Sequence, residues 1–489
     1  MIRHPIRALY DNLPQKAARP AVTDGERRLS HAELVAAVER RAADLMARGI
    51  KAGDRIGLCA HNSIDHVCAY LAILRAGAVW VPLNPRNGLS LNQQFQARAK
   101  LVLTLHDRSS TQQVDLSGPS LGLDDWQATG AAALPDIEDD PDAVFAIKFT
   151  GGSTGIPKGV VQSVRSGAAA LASLRAFYRF GADDLNLAVA PLTHGASHYI
   201  LPVLAAGGCH HLLSKPDRAD ILQALKAGVT CAFMPPTLIY LLMEEAAFKP
   251  SDLPGLRHLT YSAAPMPPPR IAQAITRFGP VLSTLYGQTE APMAIAGLSP
   301  ADMQDEALRA SVGKVFSGID IAFLGDDGVI QSQTGQGEIL VRGDLCATVY
   351  LDDPEQTAAA RIDGWLRTGD VGRRGADGHL YLLGRAKEMI ISGGYNIYPA
   401  EVEAALCAHP AVKEACAFGL EDGLWGERLE AVVALRKEAD TATLCDFVRH
   451  RLGAVRTPKV IHIVPALPRN PVGKVVRGEV LTMIQTAIQ

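Results

Sequence analysis

The sequence predicts an α/β protein: a large N-terminal domain of α/β subdomains plus a small β-rich subdomain, then a small α+β C-terminal domain. Three observations predict it. From residue 143, short apolar runs alternate with Gly/Pro/Thr-rich corners and helical patterns. After residue 300 the helical period fades into short strands and turns. Beyond Arg385 helices and strands return, enough for a second domain.

The first clear element is Ser30-His31-Ala32-Glu33, a capping box that opens a helix with an apolar stripe of Leu34, Val38, Leu45 and Met46, stopped near Gly49. Residues 55–60 then read as a strand, 65–75 as a helix and 79–83 as a strand, a βαβ unit. Five apolar runs follow, 143–149, 185–190, 230–234, 256–261 and 281–285, each leading through a polar, glycine- or proline-bearing corner towards a helical pattern. Ligand crevices in open α/β sheets lie at the carboxyl ends of strands, so these five corners are expected to converge on one cleft. Strands at 318–324, 337–342 and 379–383 mark the β-rich part, with turns at Asp326-Asp327-Gly328 and Ala376-Asp377-Gly378. The last part reads as helix 399–407, strands 412–419 and 429–435, helix 441–452, strand 460–464 and a helix near 478–488.

Composition narrows the function. The 489 residues carry 48 Lys+Arg against 51 Asp+Glu, a formal charge of −3, which gives no global cationic field for nucleic acid or an acidic membrane. Eight cysteines without a C-x-x-C pair read as reduced thiols of a cytoplasmic protein. Residues 1–20 carry Arg3, Arg7, Asp11, Lys16 and Arg19 without an apolar core, which argues against a signal peptide. The stretch 185–214 lacks Asp, Glu, Lys and Arg but holds Pro191, Pro202, four histidines and Gly207-Gly208. It reads as a buried strand–helix–strand and not as a membrane span.

The strongest chemical signal is Thr150-Gly151-Gly152-Ser153-Thr154-Gly155-Ile156-Pro157-Lys158-Gly159. Glycines let backbone N–H groups approach phosphate oxygens, hydroxyls add donors and Lys158 adds charge. It is not a Walker A loop, which needs Gly-Lys-Ser/Thr. His61 with His66, and His210 with His211, lack a third ligand of suitable spacing and read as structural.

The loop resembles the phosphate-binding signature of the adenylate-forming superfamily of acyl- and aryl-CoA synthetases. Four further stretches resemble that family's motifs in order: Tyr286-Gly287-Gln288-Thr289-Glu290, Trp365-Leu366-Arg367-Thr368-Gly369-Asp370, Gly384-Arg385-Ala386-Lys387-Glu388 with the following Gly393-Gly394-Tyr395 loop, and Pro468-Arg469-Asn470-Pro471-Val472-Gly473-Lys474. The resemblance covers nearly the whole chain. It implies an adenylation domain at 1–384, a hinge at 385–388 around Lys387, and a mobile lid domain at 389–489.

The resemblance also implies roles. ATP would lie against the 150–155 loop, Lys158, Ser262, Ala263, Ala264, Tyr286, Gly287, Gln288 and Thr289, with Asp370 accepting the ribose hydroxyls and Arg385 donating to ribose or phosphate. Glu290 and Thr150 would hold Mg²⁺, a hard ion that prefers oxygen. Lys474 would bridge the carboxylate and the α-phosphate as the acyl-adenylate forms, with His194, Thr289 and Glu290 as the other catalytic residues. Gly393, Gly394 and Tyr395 would line the CoA tunnel. Taken singly, Glu290 reads as a solvated carboxylate, Asp370 as a turn cap and Lys474 as a surface lysine; the ordered set reverses that.

His194, Ser197, Met234, Ala263, Gly287 and Met293 are the expected acyl pocket. The corner 191–199 has no carboxylate to pair a substrate ammonium, which disfavours an α-amino acid. An aryl or aliphatic acid fits, and Ser262 and Ala263, where many relatives have glycine, favour a compact one. The resemblance implies an acid–thiol ligase that uses ATP, Mg²⁺ and CoA. The alternatives are an acyl-AMP ligase that loads a separate carrier protein and a non-catalytic acyl-adenylate binder, which would be expected to lose Lys474 or Glu290. No nucleic acid and no membrane span are expected, and a homodimer is compatible with this reading.

Overall fold

A computed structural model describes residues 2–129, 133–150, 157–245, 248–325, 327–332, 335–346, 348–469 and 475–488. Four sheets organise them. The first, seven-stranded, is built around the expected βαβ unit: Arg55–Cys59 and Val79–Leu83 run parallel, Ile56 beside Trp80 and Cys59 beside Leu83. The connecting helix Ile64–Arg75 is buried from Ile64 to Leu74 except at Asp65, so its sequence is apolar on all sides where a surface helix would be striped. Ser63 caps it by accepting from the His66 N–H. The helix His31–Ala47 opens with the predicted reciprocal cap between Ser30 and Glu33.

The second sheet, nine-stranded, has a parallel core of Leu185–Ala188, Cys209–Leu212, Cys231–Met234, His258–Tyr261 and Leu282–Tyr286. The uncharged stretch 185–214 folds here as strand, short helices Gly195–Tyr199 and Ile200–Ala205, and strand. Among the described residues no helix is long and apolar enough to cross a membrane.

One expectation needs correction. The corner after Val144–Thr150 leads into the strand Lys158–Ser163, with Thr150 opposite Lys158 in an antiparallel hairpin, and only then into the helix Val164–Tyr178. The β-branched Val160 and Val161 fit a pleated, buried surface, and that decides it. The five strand ends come from two sheets: Val144–Thr150 belongs to the first and the other four to the second.

The third sheet carries Ile319–Leu324, Ile330–Ser332, Gln336–Gly343, Arg361–Ile362, Trp365–Arg374 and Leu380–Arg385. Trp365–Arg374 was not legible as a strand, because Gly369 and Gly372 and its scattered charges hide the period of two. The fourth sheet joins Ile390–Ser392, Tyr395–Ile397, Val412–Asp422, Gly426–Leu435 and Val460–Val464, with helices Pro399–Cys407, Thr441–Leu452 and Arg477–Ile488 where the sequence placed them. All eight cysteines are free thiols; burial pushes that of Cys59 up to about 12.

Candidate active site

Cys231–Met234, His258–Tyr261 and Leu282–Tyr286 lie side by side and parallel, so their terminal loops open on one edge. At that edge Tyr286 ends its strand and the chain folds straight back: Tyr286 O accepts from the Ile295 N–H and Gln288 N–H donates to Ala291 O. Gly287 makes this return possible, since a Cβ there would stand 2.5 Å from the carbonyl carbon of Met293. Met293 itself takes a left-handed φ of 60°, and Ala263 one of 69°.

Asp370 sits inside Trp365–Arg374 with Arg385 as its cross-strand neighbour. The Arg385 Nε lies 2.6 Å from Asp370 Oδ1. Tyr286 Oη donates to Oδ2 at 2.7 Å, and Gln288 Nε2 donates both to that oxygen and to Thr368 O. Three donors from two separate stretches thus meet at one buried carboxylate on a third. Burial and the Asp370 charge hold the Tyr286 phenol well above its ordinary range, so it acts as a fixed donor.

A second group forms around Glu290. Its Oε1 accepts from Tyr350 Oη at 2.8 Å, and its backbone carbonyl accepts from Thr348 Oγ1 at 2.8 Å. Gln162 Nε2 donates to Thr289 O at 2.8 Å. Lys158 Nζ lies 5.8 Å from the centroid of the Tyr350 ring, and the Gln356 side-chain oxygen accepts from it when its amide faces the lysine. One strand pairing brings these together: Thr348–Tyr350 adds to the edge of Lys158–Ser163, with Tyr350 opposite Val160. Sequence reasoning missed Tyr350, Gln162 and Gln356. A three-residue strand paired across such a sequence distance leaves no local signal.

His194 is held at Nδ1 by Thr193 Oγ1 at 2.9 Å. Burial, and the nearby Lys148 and Arg86 charges, lower its pKa to about 4, so the ring is neutral at pH 7. Ser197 Oγ donates to His194 O at 2.7 Å. A Cβ on Gly195 would touch Phe233 and Met293, so the 195, 233 and 293 corners share one wall. Met234 is fully buried in the core with Leu187 and Val189, and Phe233 of the same strand faces Gly195 in its stead. Ser262 Oγ donates to Leu285 O, while Ala263 is exposed. An alanine held at φ 69° is strained, so Ala263→Gly should raise the urea midpoint, with a gain of about 0.5–1 kcal/mol. A lowered midpoint would refute this.

Lys387 lies in the exposed turn Ala386–Glu388. The neighbouring Glu388 pairs with Arg477 of the last helix at 3.3 Å, and Arg477 also reaches Glu403 at 2.7 Å. Gly393 and Gly394 take left-handed φ values of 58° and 81°, and Gly393 N–H donates to Trp425 O at 2.8 Å. Tyr395 is exposed. Gly393 therefore packs on its own sheet and not on the Asp370 or Glu290 groups. Gly151, Gly152, Ser153, Thr154, Gly155 and Lys474 lie outside the described residues.

A buried carboxylate ringed by hydrogen-bond donors, with a second carboxylate two residues along the chain from one of those donors, marks an α/β protein with a polar site at the strand ends. Residues 9–351 match the AMP-binding enzyme model and residues 401–474 the AMP-binding enzyme C-terminal domain, so the chain belongs to the AMP-binding enzyme family. It is 37% identical over 354 residues to the medium/long-chain-fatty-acid–CoA ligase FadD8 of Mycobacterium tuberculosis, an alignment that spans 70% of this chain and 61% of that one. It is 31% identical to the indoleacetate–CoA ligase of Aromatoleum aromaticum over 95% of both chains. Its fold matches the amide bond synthetase McbA of Marinactinospora thermotolerans with a TM-score of 0.88 and 29% identity, covering 98% of this chain and 99% of that one.

Proposed function

We propose that the residues assembled here serve an ATP-dependent acid–CoA ligase. A carboxylate attacks the α-phosphorus of ATP and pyrophosphate leaves; the CoA thiol then attacks the acyl carbonyl and AMP leaves. Curated CoA ligases at 31–37% identity support this reading. The observation that carries it is the meeting of Tyr286, Gln288, Asp370 and Arg385 at one carboxylate, where a ribose diol finds an oriented acceptor.

Arg385 and Lys158 supply positive charge for the phosphates, and neutral His194 closes the acyl pocket without adding charge. Glu290 accepts one hydrogen bond at Oε1 and keeps further oxygen lone pairs, a donor set that fits Mg²⁺; with Thr150 it would hold the ion, whose chemistry is to neutralise phosphate charge. Apart from Met234, whose place Phe233 takes, the remaining acyl and nucleotide residues keep the roles assigned from sequence, Lys474 among them. Incubation with ATP, CoA and a panel of aryl and short-chain acids should give CoA-dependent AMP release. If no acid supports AMP release or pyrophosphate exchange, this reading falls.

The same reading assigns 1–384 to an adenylation unit, 385–388 to a hinge and 389–489 to a lid. The break between the two family matches, after residue 351 and before residue 401, supports it, as does the separate fourth sheet. Lys387→Pro, which fixes φ at the pivot, should keep pyrophosphate exchange and lower thioester formation from supplied acyl-AMP at least about tenfold. Equal loss of both half-reactions would remove the hinge.

A further inference from the structure

Lys148 stands inside Val144–Thr150 and is only 7% exposed. A buried ammonium needs an anion or a full set of acceptors. Lys148 has neither among the described residues. Its Nζ lies 3.3 Å from His198 Nε2, 3.5 Å from Ser197 Oγ and 5.1 Å from the centroid of the Trp80 ring. His198 Nδ1 lies 3.2 Å from Gly195 O, so Nδ1 carries the hydrogen and Nε2 is a neutral acceptor. Ser197 has given its hydrogen to His194 O and shows Lys148 a lone pair. Both contacts are at or beyond the long end of the hydrogen-bond range, and neither partner bears charge. The loop that follows, 151–156, has no acidic residue to supply one.

Lys148, Ser197 and His198 line a narrow cavity of about 30 Å³ together with Trp80, Tyr70 and Leu201. One water needs roughly 10–15 Å³, so the space admits a small oxygen-bearing group. Ser197 links this cavity to His194, at the acyl corner. Burial pushes the Lys148 pKa down to about 7; an apolar substrate end lodged here would leave the amine without a partner, whereas an oxygen acceptor would complete its shell.

We propose that Lys148, Ser197 and His198 form the far end of the acyl pocket and select a compact acid carrying a second oxygen acceptor, a ketone or carboxylate oxygen, remote from the reacting carboxylate. This rests on the acid–CoA ligase reading and adds its substrate class. Sites built to hydrogen-bond a substrate reject the analogue lacking that group far more strongly than apolar pockets reject a changed methylene.

The test is CoA-dependent AMP release with pentanoate, levulinate and glutarate and with their homologues one and two carbons longer, so that chain length and acceptor vary separately. The wild type should show at least about tenfold higher kcat/KM for the keto or dicarboxylic acid than for the plain acid at its best length, expressed in KM. Which of the two wins distinguishes a neutral from an anionic acceptor. Lys148→Met should cut that preference ratio at least about tenfold. Lys148→Gln, which keeps a neutral donor, should retain more of a ketone preference than of a carboxylate preference. Plain acids turned over as well as the oxygenated ones at every length would overturn the inference and leave the ligase reading standing, as would a preference ratio unmoved in both variants. The wild-type comparison decides if neither variant folds. Absence of AMP release with every acid, including aryl acids, would remove the ligase reading and this inference with it.

Discussion

Asp370→Asn should lower kcat/KM for ATP about 10²–10³-fold. The wild-type carboxylate accepts at both oxygens, from Arg385 on one side and from Tyr286 and Gln288 on the other. An asparagine accepts at one oxygen only, so its amide N–H₂ must face a donor, either Arg385 or the Tyr286–Gln288 pair. The acceptor offered to a ribose diol is lost as well. The stability cost is smaller, about 1–2 kcal/mol, because Arg385 is 46% exposed and water screens it once its partner is gone. The measurement is ATP dependence of pyrophosphate exchange beside thermal unfolding. A variant with unchanged ATP kinetics and lowered stability would make Asp370 purely structural.

Gly287→Ala should lose activity about 10²-fold or more and unfold more easily. The added methyl would meet Met293 backbone atoms at 2.5–2.6 Å, and backbone cannot rotate away as a long side chain can. Relief requires the return loop to swing outwards. That loop carries Gln288 to Asp370 and Glu290 to Tyr350, so one methyl disturbs both groups together. Near-wild-type exchange rates in Gly287→Ala would show that the loop can shift without consequence.

The sequence was most informative where local rules decide the outcome. The Ser30–Glu33 cap, the βαβ unit and the elements beyond 399 rest on periodicity and capping, which act within a few residues. Tyr286, Gln288, Asp370 and Arg385 were legible as a set through motif resemblance, but their meeting at a single carboxylate was not, since it depends on the register of Trp365–Arg374 against Leu380–Arg385. Phe233 was missed and Met234 chosen because adjacent strand residues face opposite sides, and the sequence did not say which faced Gly195. Lys148 was overlooked for a related reason. In the run Val144–Thr150 it reads as the polar member of an alternating strand, and only packing against Trp80 shows that both faces are covered.

The pairing of Thr348–Tyr350 with Lys158–Ser163 has a consequence for how the chain acquires its activity. The paired strands Val144–Thr150 and Lys158–Ser163 emerge early in synthesis, but their outer edge waits for a segment that emerges only after every other strand of the two large sheets. Closing so long a loop is entropically slow, so the surroundings of Glu290 should be among the last to mature, and a nascent chain should become competent late and abruptly rather than by degrees.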